Sequence, residues 1–436
     1  MRWIVFVLSI AVAGNATSQA PQSWVTSWAA SVQGPYPVGN PSAQPNLQEA
    51  FPSPPAGARD QSFRLIVRPA LWGSTVRVRL ANTFGTRPVS FDAVHIGLQH
   101  SGPALVKESN QAVRFGGRSD VTVAPGQSAW SDPVSLPFVR DAGDPLLQGR
   151  KLAVSFHVRG ESGPMTWHAK ALQTSYVNAP GRGTHSQEEA ESAFPYSTAS
   201  WYFLDALDVR APGAKAIVAL GDSITDGTAS TMNGDDRWPD VLARRLEQQY
   251  GARFAVVNAG IGGNQVAGPA EYGAAKPFAG GPAALQRLER DVVSLSSVGA
   301  VIWLEGINDF SRNGNASVDA VSARMREGVQ RLRARIPGVR VVGATVVTAL
   351  GATNAAHGFP EQDEKRKALN AFIRGSGVFD AVIDFDSVIT DPATGAMRAP
   401  FVPESTTGGP GDKLHPNRAG YLAMGMAIDL RVFAGD

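Results

Sequence analysis

The sequence predicts two dissimilar units: an antiparallel β-sandwich, jelly-roll-like, followed by an α/β unit built on a doubly wound parallel sheet. Three observations predict this. The chain has 436 residues, a length that favours two domains over one. From Phe63 to about Val209, apolar residues recur with period two. After Ala211-Pro212-Gly213, short apolar runs alternate with helical spacing, the pattern of a parallel sheet with helices on both faces. The predicted domains are 21–210 and 214–436.

The first residues read as a signal peptide over 1–20. Arg2 is a positive start, and Ile4 to Ala13 is apolar but too short for a bilayer of ~30 Å. Small and polar residues then run to Ala20. The expectation is a secreted or periplasmic protein that does not insert in a membrane once the peptide is removed. A buried N-terminal strand is the alternative. Residues 21–60, rich in Pro, Gly, Ser and Ala, read as an extended lead-in and loop, with Trp24 and Trp28 near the start.

In the sandwich, Val76, Val78 and Leu80 alternate with Arg77 and Arg79. Leu152, Val154, Phe156 and Val158 alternate with Ala153, Ser155, His157 and Arg159. Such alternation predicts one face on a core and one in water. Phe84-Gly85-Thr86 and Ala124-Pro125-Gly126 mark turns between runs.

In the α/β unit, Ala216–Leu220, Phe254–Val257, Ala300–Leu304, Val339–Val347 and Ala381–Phe385 read as strands. Asp236–Tyr250 is helical, with Trp238, Leu242 and Leu246 on one face and Gly251 as its stop. Ala283–Leu295 is a second helical stretch. Ser317–Ile336 is amphipathic through Val318, Val321, Met325, Val329, Leu332 and Ile336, and Pro337 ends it. Arg418–Phe433 is the last helix. In such sheets ligands bind at the carboxyl ends of the strands.

Composition narrows the function. Hydrophobic residues make up 43% and charged residues 18%, which is ordinary for a folded protein. Lys plus Arg number 40 and Asp plus Glu 38, so the formal charge is +2. That balance makes no electrostatic case for nucleic acid or an anionic membrane. There is no cysteine, so thiolate nucleophiles, disulfides and zinc–sulfur or iron–sulfur sites are excluded. The 7 histidines are scattered, so metal catalysis is disfavoured.

Four segments stand at the strand ends or before the last helix. Gly221-Asp222-Ser223-Ile224-Thr225 turns sharply from strand to helix and exposes Ser223 near backbone N–H groups; Ser223 is either a nucleophile or a helix cap. Asp412-Lys413-Leu414-His415-Pro416-Asn417 carries a carboxylate and an imidazole on one rigid turn. There His415 takes the Ser223 proton while Asp412 holds its tautomer, or the pair is a loop acid and a capping His. Asn258-Ala259-Gly260-Ile261-Gly262-Gly263-Asn264 brings backbone N–H groups close to a ligand. Glu305-Gly306-Ile307-Asn308-Asp309 offers the Asn308 amide. With the Ser223 N–H, these supply three oxyanion donors; each is equally compatible with ordinary turn chemistry.

Taken together and in this order, the four blocks resemble the SGNH hydrolases of the GDSL lipase/esterase superfamily. The resemblance covers roughly residues 214–436. It implies a flavodoxin-like doubly wound sheet, the SGNH hydrolase fold, and a cofactor-free ester hydrolase. It assigns Ser223 as nucleophile, His415 and Asp412 as its partners, and Ser223, Gly263 and Asn308 as oxyanion donors, with Gly262 in place of Gly263 if the alignment slips by one. Asp222 is expected to brace the turn. His357, in the loop 352–361, either lines the substrate cleft or is an ordinary exposed loop histidine, and is left outside the site. Trp24–Ala30, Arg79–Gly85 and Thr166-Trp167-His168 resemble larger secreted bacterial SGNH proteins with a β-rich domain before the hydrolase domain. The expected substrate is a short-chain acyl ester, small-molecule or polysaccharide. Deacetylation of a polysaccharide is the first reading, because of secretion, the sandwich and the Trp-rich start. A lipase-like or aryl esterase is the second. A catalytically inactive carbohydrate-binding or adhesion protein is the alternative of another class. The loop 268–282, rich in Gly, Ala and Pro, is expected to shape the pocket.

Overall fold

The computed structural model describes residues 23–273 and 275–434. The predicted signal peptide lies outside them. The β-rich part contains β1 (Trp24–Ala29), β2 (Arg59–Val67), β3 (Thr75–Ala81), β4 (Val89–Ser101), β5 (Leu152–Glu161) and β6 (Leu204–Arg210). One antiparallel sheet runs β1–β6–β3; another sets β5 between β2 and β4. A small third sheet joins Gln33–Pro35, Thr166–His168 and Trp201–Tyr202. Phe63, Phe91, Phe156 and Phe203 pack ring against ring at 5.3 to 6.0 Å, burying large apolar area.

Two expectations need correction here. The lead-in at Trp24 is a strand: β1 pairs with β6 from Trp24–Arg210 to Ala29–Ala206. The alternating run in β5 has no solvated face, since Leu152 to Val158 are all buried. Being central, β5 is covered on both faces, and its polar residues find partners instead of water. The Ser155 hydroxyl accepts from Arg64 Nε at 2.9 Å, and His157 sits between Asp92 at 2.6 Å and Asp60 at 3.0 Å. Arg77 and Arg79 likewise face the rest of the chain, reaching Ser296 and Ser294 at 3.2 and 2.9 Å.

The α/β part holds β7 (Lys215–Gly221), β8 (Phe254–Gly260), β9 (Val298–Leu304), β10 (Arg340–Ala344) and β11 (Ala381–Ile383), all parallel. Their order across the sheet is β8–β7–β9–β10–β11, the flavodoxin-like arrangement. Alternate residues of β7 enter two cores. Ala216, Val218 and Leu220 share one with Val321, Met325 and Leu332 of α3 (Val318–Arg335). Ile217 and Ala219 share the other with Leu242 of α2 (Trp238–Tyr250) and Tyr421 of α5 (Arg418–Ala427). Two further helices matter for the site, α1 (Ser223–Asp226) and α4 (Pro360–Gly375). The register sets Gly221 beside Gly260 and Leu304, so three strands end at one level.

Several ends differ from expectation. The last helix stops at Ala427, because Ile428 turns extended to bury itself, and Asp429 caps a separate turn at Arg431, 3.0 Å away. The stretch from Ala283 is an α-turn to Leu288, then a wider π-turn over Glu289–Val293. That turn accompanies the pairing of buried Asp291 with Arg287 and Arg290 at 3.1 and 2.5 Å. The fourth strand ends at Ala344, since the Val346 N–H bonds to the Asn370 side chain of α4 at 2.7 Å. The fifth ends at Ile383, and Phe385 begins a helical turn capped by Asp384. Among the described residues, no helix is long and apolar enough to cross a membrane.

Candidate active site

The β7–α1 turn is tight. A Cβ on Gly221 would stand 2.2 Å from the Thr225 hydroxyl and 2.5 Å from the Leu304 carbonyl. Only glycine lets the strand end here against its neighbour. Asp222, not Ser223, caps α1: its carboxylate accepts the Ile224 N–H at 2.9 Å. Ser223 is therefore the first helical residue, with its hydroxyl free for another partner. That partner is His415, whose Nε2 lies 2.8 Å from Ser223 Oγ. His415 Nδ1 lies 2.6 Å from Asp412 Oδ2.

The turn before α5 holds this pair locally. Asp412 Oδ1 accepts the N–H groups of Leu414 and His415, each at 2.9 Å. Lys413 between them takes a positive φ of 60°. Asn417, not His415, caps α5. Burial would raise the Asp412 carboxyl, but the His415 ring and the two N–H donors outweigh it and hold it well below the usual carboxylate range. A carboxylate pinned on one oxygen and aimed at Nδ1 with the other leaves Nε2 to accept a proton.

The predicted oxyanion residues line the same cleft as Ser223 and His415, a hollow of about 300 Å³. The Gly262 N–H is taken by Asp226 Oδ2 at 2.9 Å. The Ser223 and Gly263 N–H groups donate to no protein acceptor among the described residues. This favours Gly263 over Gly262 at that position. Asn308 Nδ2 gives one hydrogen to the Asn264 carbonyl at 3.0 Å and keeps its second for the cleft. Asp309 ties the two loops together, accepting the N–H groups of Val266 at 2.9 Å and Ala267 at 2.7 Å.

Four residues outside the predicted set shape the site. Arg287, fully buried, donates to the carbonyls of Gly221 at 2.8 Å and Ala259 at 2.7 Å and to the Asn264 side chain at 2.7 Å. It thereby fastens the ends of β7 and β8. His357 lines the cleft and hydrogen-bonds Gln362 at 2.7 Å; burial, then the nearby His415, pushes its ring down to about 4. Asn40 and Lys170 come from the β-rich part and also line the cleft. Only His357 had a signal in the sequence, a histidine in a polar loop. The others are marked by nothing local. Phe278, Ala279 and Gly280 form one wall, as expected for the 268–282 loop.

Behind Ser223 lie three buried acids. Burial pushes Asp222 up to about 8, aided by Glu305 and Asp309, and pushes Asp309 up to about 7. Burial raises Glu305 as well, against the pull of Arg287. Asp222 thus braces the turn largely as a neutral acid near pH 7 and adds little negative charge beside Ser223. Among the described residues, no group of three or more His, Asp or Glu side chains is arranged to hold a metal ion.

Residues 219–423 match the GDSL-like Lipase/Acylhydrolase family, a span that contains Ser223, Gly263, Asn308, Asp412 and His415. No curated protein matches the chain. Among solved structures, a putative arylesterase from Agrobacterium tumefaciens is 20% identical, over 49% of this chain and 95% of that one, with a TM-score of 0.37. The M. smegmatis aryl esterase is 19% identical, over 50% and 100%, with a TM-score of 0.39. A carbohydrate acetylesterase from Sinorhizobium meliloti is 15% identical, over 49% and 95%, with a TM-score of 0.35. Residues 219–423 belong to the GDSL-like lipase/acylhydrolase family, and the chain is a carboxylic ester hydrolase.

Proposed function

We propose that this chain is a serine esterase that cleaves short-chain acyl esters through an acyl-enzyme on Ser223. The observation that carries the reading is the hydrogen-bonded line from Ser223 Oγ through His415 to Asp412, at 2.8 and 2.6 Å. Ser223 Oγ attacks the ester carbonyl while His415 Nε2 takes its proton. The Ser223 and Gly263 N–H groups and the Asn308 amide stabilise the resulting oxyanion. His415 then returns the proton to the departing alcohol oxygen. Water repeats the attack on the acyl-enzyme, and the carboxylic acid leaves.

Cleft chemistry supports a small acyl group on a polar alcohol. Asn40, Lys170, Asn313, Asn354 and His357 are among its walls, whereas a long acyl chain needs an apolar channel. Deacetylation of a polysaccharide is therefore the substrate we propose, with a lipase-like or aryl esterase as the competing outcome. We take 21–210 and 214–436 as the two domains, and the start at Arg2 and Ile4–Ala13 as a secretory signal. The test measures hydrolysis of p-nitrophenyl acetate, butyrate and octanoate and of acetylated glycans by the purified protein and by Ser223→Ala. Turnover by Ser223→Ala at the wild-type rate would end the serine mechanism. A clear preference for butyrate or longer esters over acetylated glycans would end the polysaccharide reading.

A further inference from the structure

We infer that Asn40, from the β-rich half of the chain, sets the direction of the Gly263 N–H and so completes the oxyanion hole; this rests on the serine-esterase reading above. Gly262 C=O and Gly263 N–H belong to one peptide unit. That unit is trans, so its carbonyl and its N–H point in opposite directions. Asn40 Nδ2 donates to the Gly262 carbonyl oxygen at 2.7 Å. Holding the oxygen on one side therefore aims the N–H to the other.

The peptide needs such a hold. It joins two glycines, and Gly263 has φ +86°, so no side chain restrains its rotation. Asp226 fixes the preceding N–H, that of Gly262, at 2.9 Å, but that bond leaves the 262–263 peptide itself free to turn. The Asn264 N–H closes the turn on the Ile261 carbonyl at 3.0 Å, a bond that survives a flip of the central peptide; among the described residues, Asn40 is the side chain that bonds to the peptide itself.

Asn40 is itself rigidly presented. The Tyr36 N–H bonds to the Met165 carbonyl at 2.8 Å, and Trp167 Nε1 bonds to the Val38 carbonyl at 3.1 Å. Gly39 presses so closely on this strand that a Cβ there would lie 2.8 Å from Ala169 Cβ and 2.9 Å from the Trp167 ring. The same half of the chain also grips the opposite wall, where Gln33 Nε2 donates to the Ala279 carbonyl and the Gly34 N–H to the Tyr272 hydroxyl, each at 2.7 Å. The β-rich part is thus built into the catalytic cleft.

Asn40 is exposed, which separates stability from catalysis. Water replaces a lost donor at the Gly262 oxygen, so the fold is hardly affected. Water does not fix the peptide's direction. The test compares Asn40→Ala and Asn40→Asp with the wild type and Ser223→Ala on p-nitrophenyl acetate. At neutral pH the aspartate keeps the shape of Asn40 but donates nothing. Both Asn40 variants are expected to lose kcat by on the order of 10- to 100-fold, with KM within about twofold. Melting temperature should stay within about 2 °C of wild type. Inactivation by an alkyl p-nitrophenyl phosphonate, whose phosphoryl oxygen occupies the oxyanion position, should slow by the same factor as kcat. Wild-type kcat in both variants, a change in KM alone, or a kcat loss without the matching phosphonate effect would overturn the inference. An active Ser223→Ala would remove the esterase reading beneath it; an inactive Ser223→Ala with wild-type-like Asn40 variants would remove the inference alone.

Discussion

Asp412→Asn tests the proposed catalytic line at its least exchangeable point. Asp412 Oδ1 accepts two N–H groups, from Leu414 and His415, at 2.9 Å each, and Oδ2 faces His415 Nδ1 at 2.6 Å. An asparagine has a single carbonyl oxygen. If that oxygen keeps the two backbone donors, the NH2 group faces Nδ1 and forces the ring to accept there. The ring proton then sits on Nε2, 2.8 Å from Ser223 Oγ, where a lone pair is needed. If the amide flips instead, two N–H groups lose their acceptor at about 1–3 kcal/mol each, so the first arrangement prevails. The substitution also removes the anion that stabilises the imidazolium formed during attack. A wrong tautomer and a lost charge together are expected to lower kcat/KM by about 10³–10⁴, or about 4–5.5 kcal/mol. Initial rates on p-nitrophenyl acetate give the ratio, and a thermal melt checks that the turn survives. A loss below tenfold in a folded variant would refute the reasoning.

Three further perturbations probe other parts of the site. Asn308→Ala removes a proposed oxyanion donor and should lower kcat by on the order of 10²–10³; wild-type-like ester turnover would exclude Asn308 from the chemistry. Gly260→Ala would put a Cβ 2.3 Å from the Asp226 backbone nitrogen. It should destabilise the fold by roughly 1–3 kcal/mol, and a wild-type denaturation midpoint would count against the close β8–α1 approach. Asp222→Asn keeps the cap on Ile224 but removes an acid that burial raises from 3.8 to about 8. The unfolded chain releases this proton near pH 4 and the folded one only near pH 8, so wild-type stability falls as pH rises through that window. Asp222→Asn should therefore gain melting temperature relative to wild type between pH 5 and pH 8, and a constant or shrinking difference would contradict the burial argument.

Local pattern carried the α/β half well. Trp238, Leu242 and Leu246 mark α2, and Val321, Met325, Val329 and Leu332 mark α3, because a helix that covers a sheet must be apolar on one stripe. Period two was a poorer guide in β5, where centrality in the sheet buries both faces. The start at Trp24 was illegible as a strand because its partner, β6, lies about 180 residues away. The blocks proposed to carry the chemistry were legible as tight turns because their contacts are local: Asp222 caps its own helix, and Asp412 holds its own histidine.

The sequence by itself determined the strand–helix alternation, the tight turns and the residue types able to act as nucleophile, base and acid, since these depend on neighbours a few positions apart. Only the tertiary structure decided that Ser223 meets His415, 192 positions on, and that Asn40 and Lys170 border the same cleft. It also decided that Asp222 is buried beside Glu305 and Asp309 and so retains its proton to about pH 8. Contact and burial between distant segments follow from how the two halves pack, and neither composition nor periodicity carries that information.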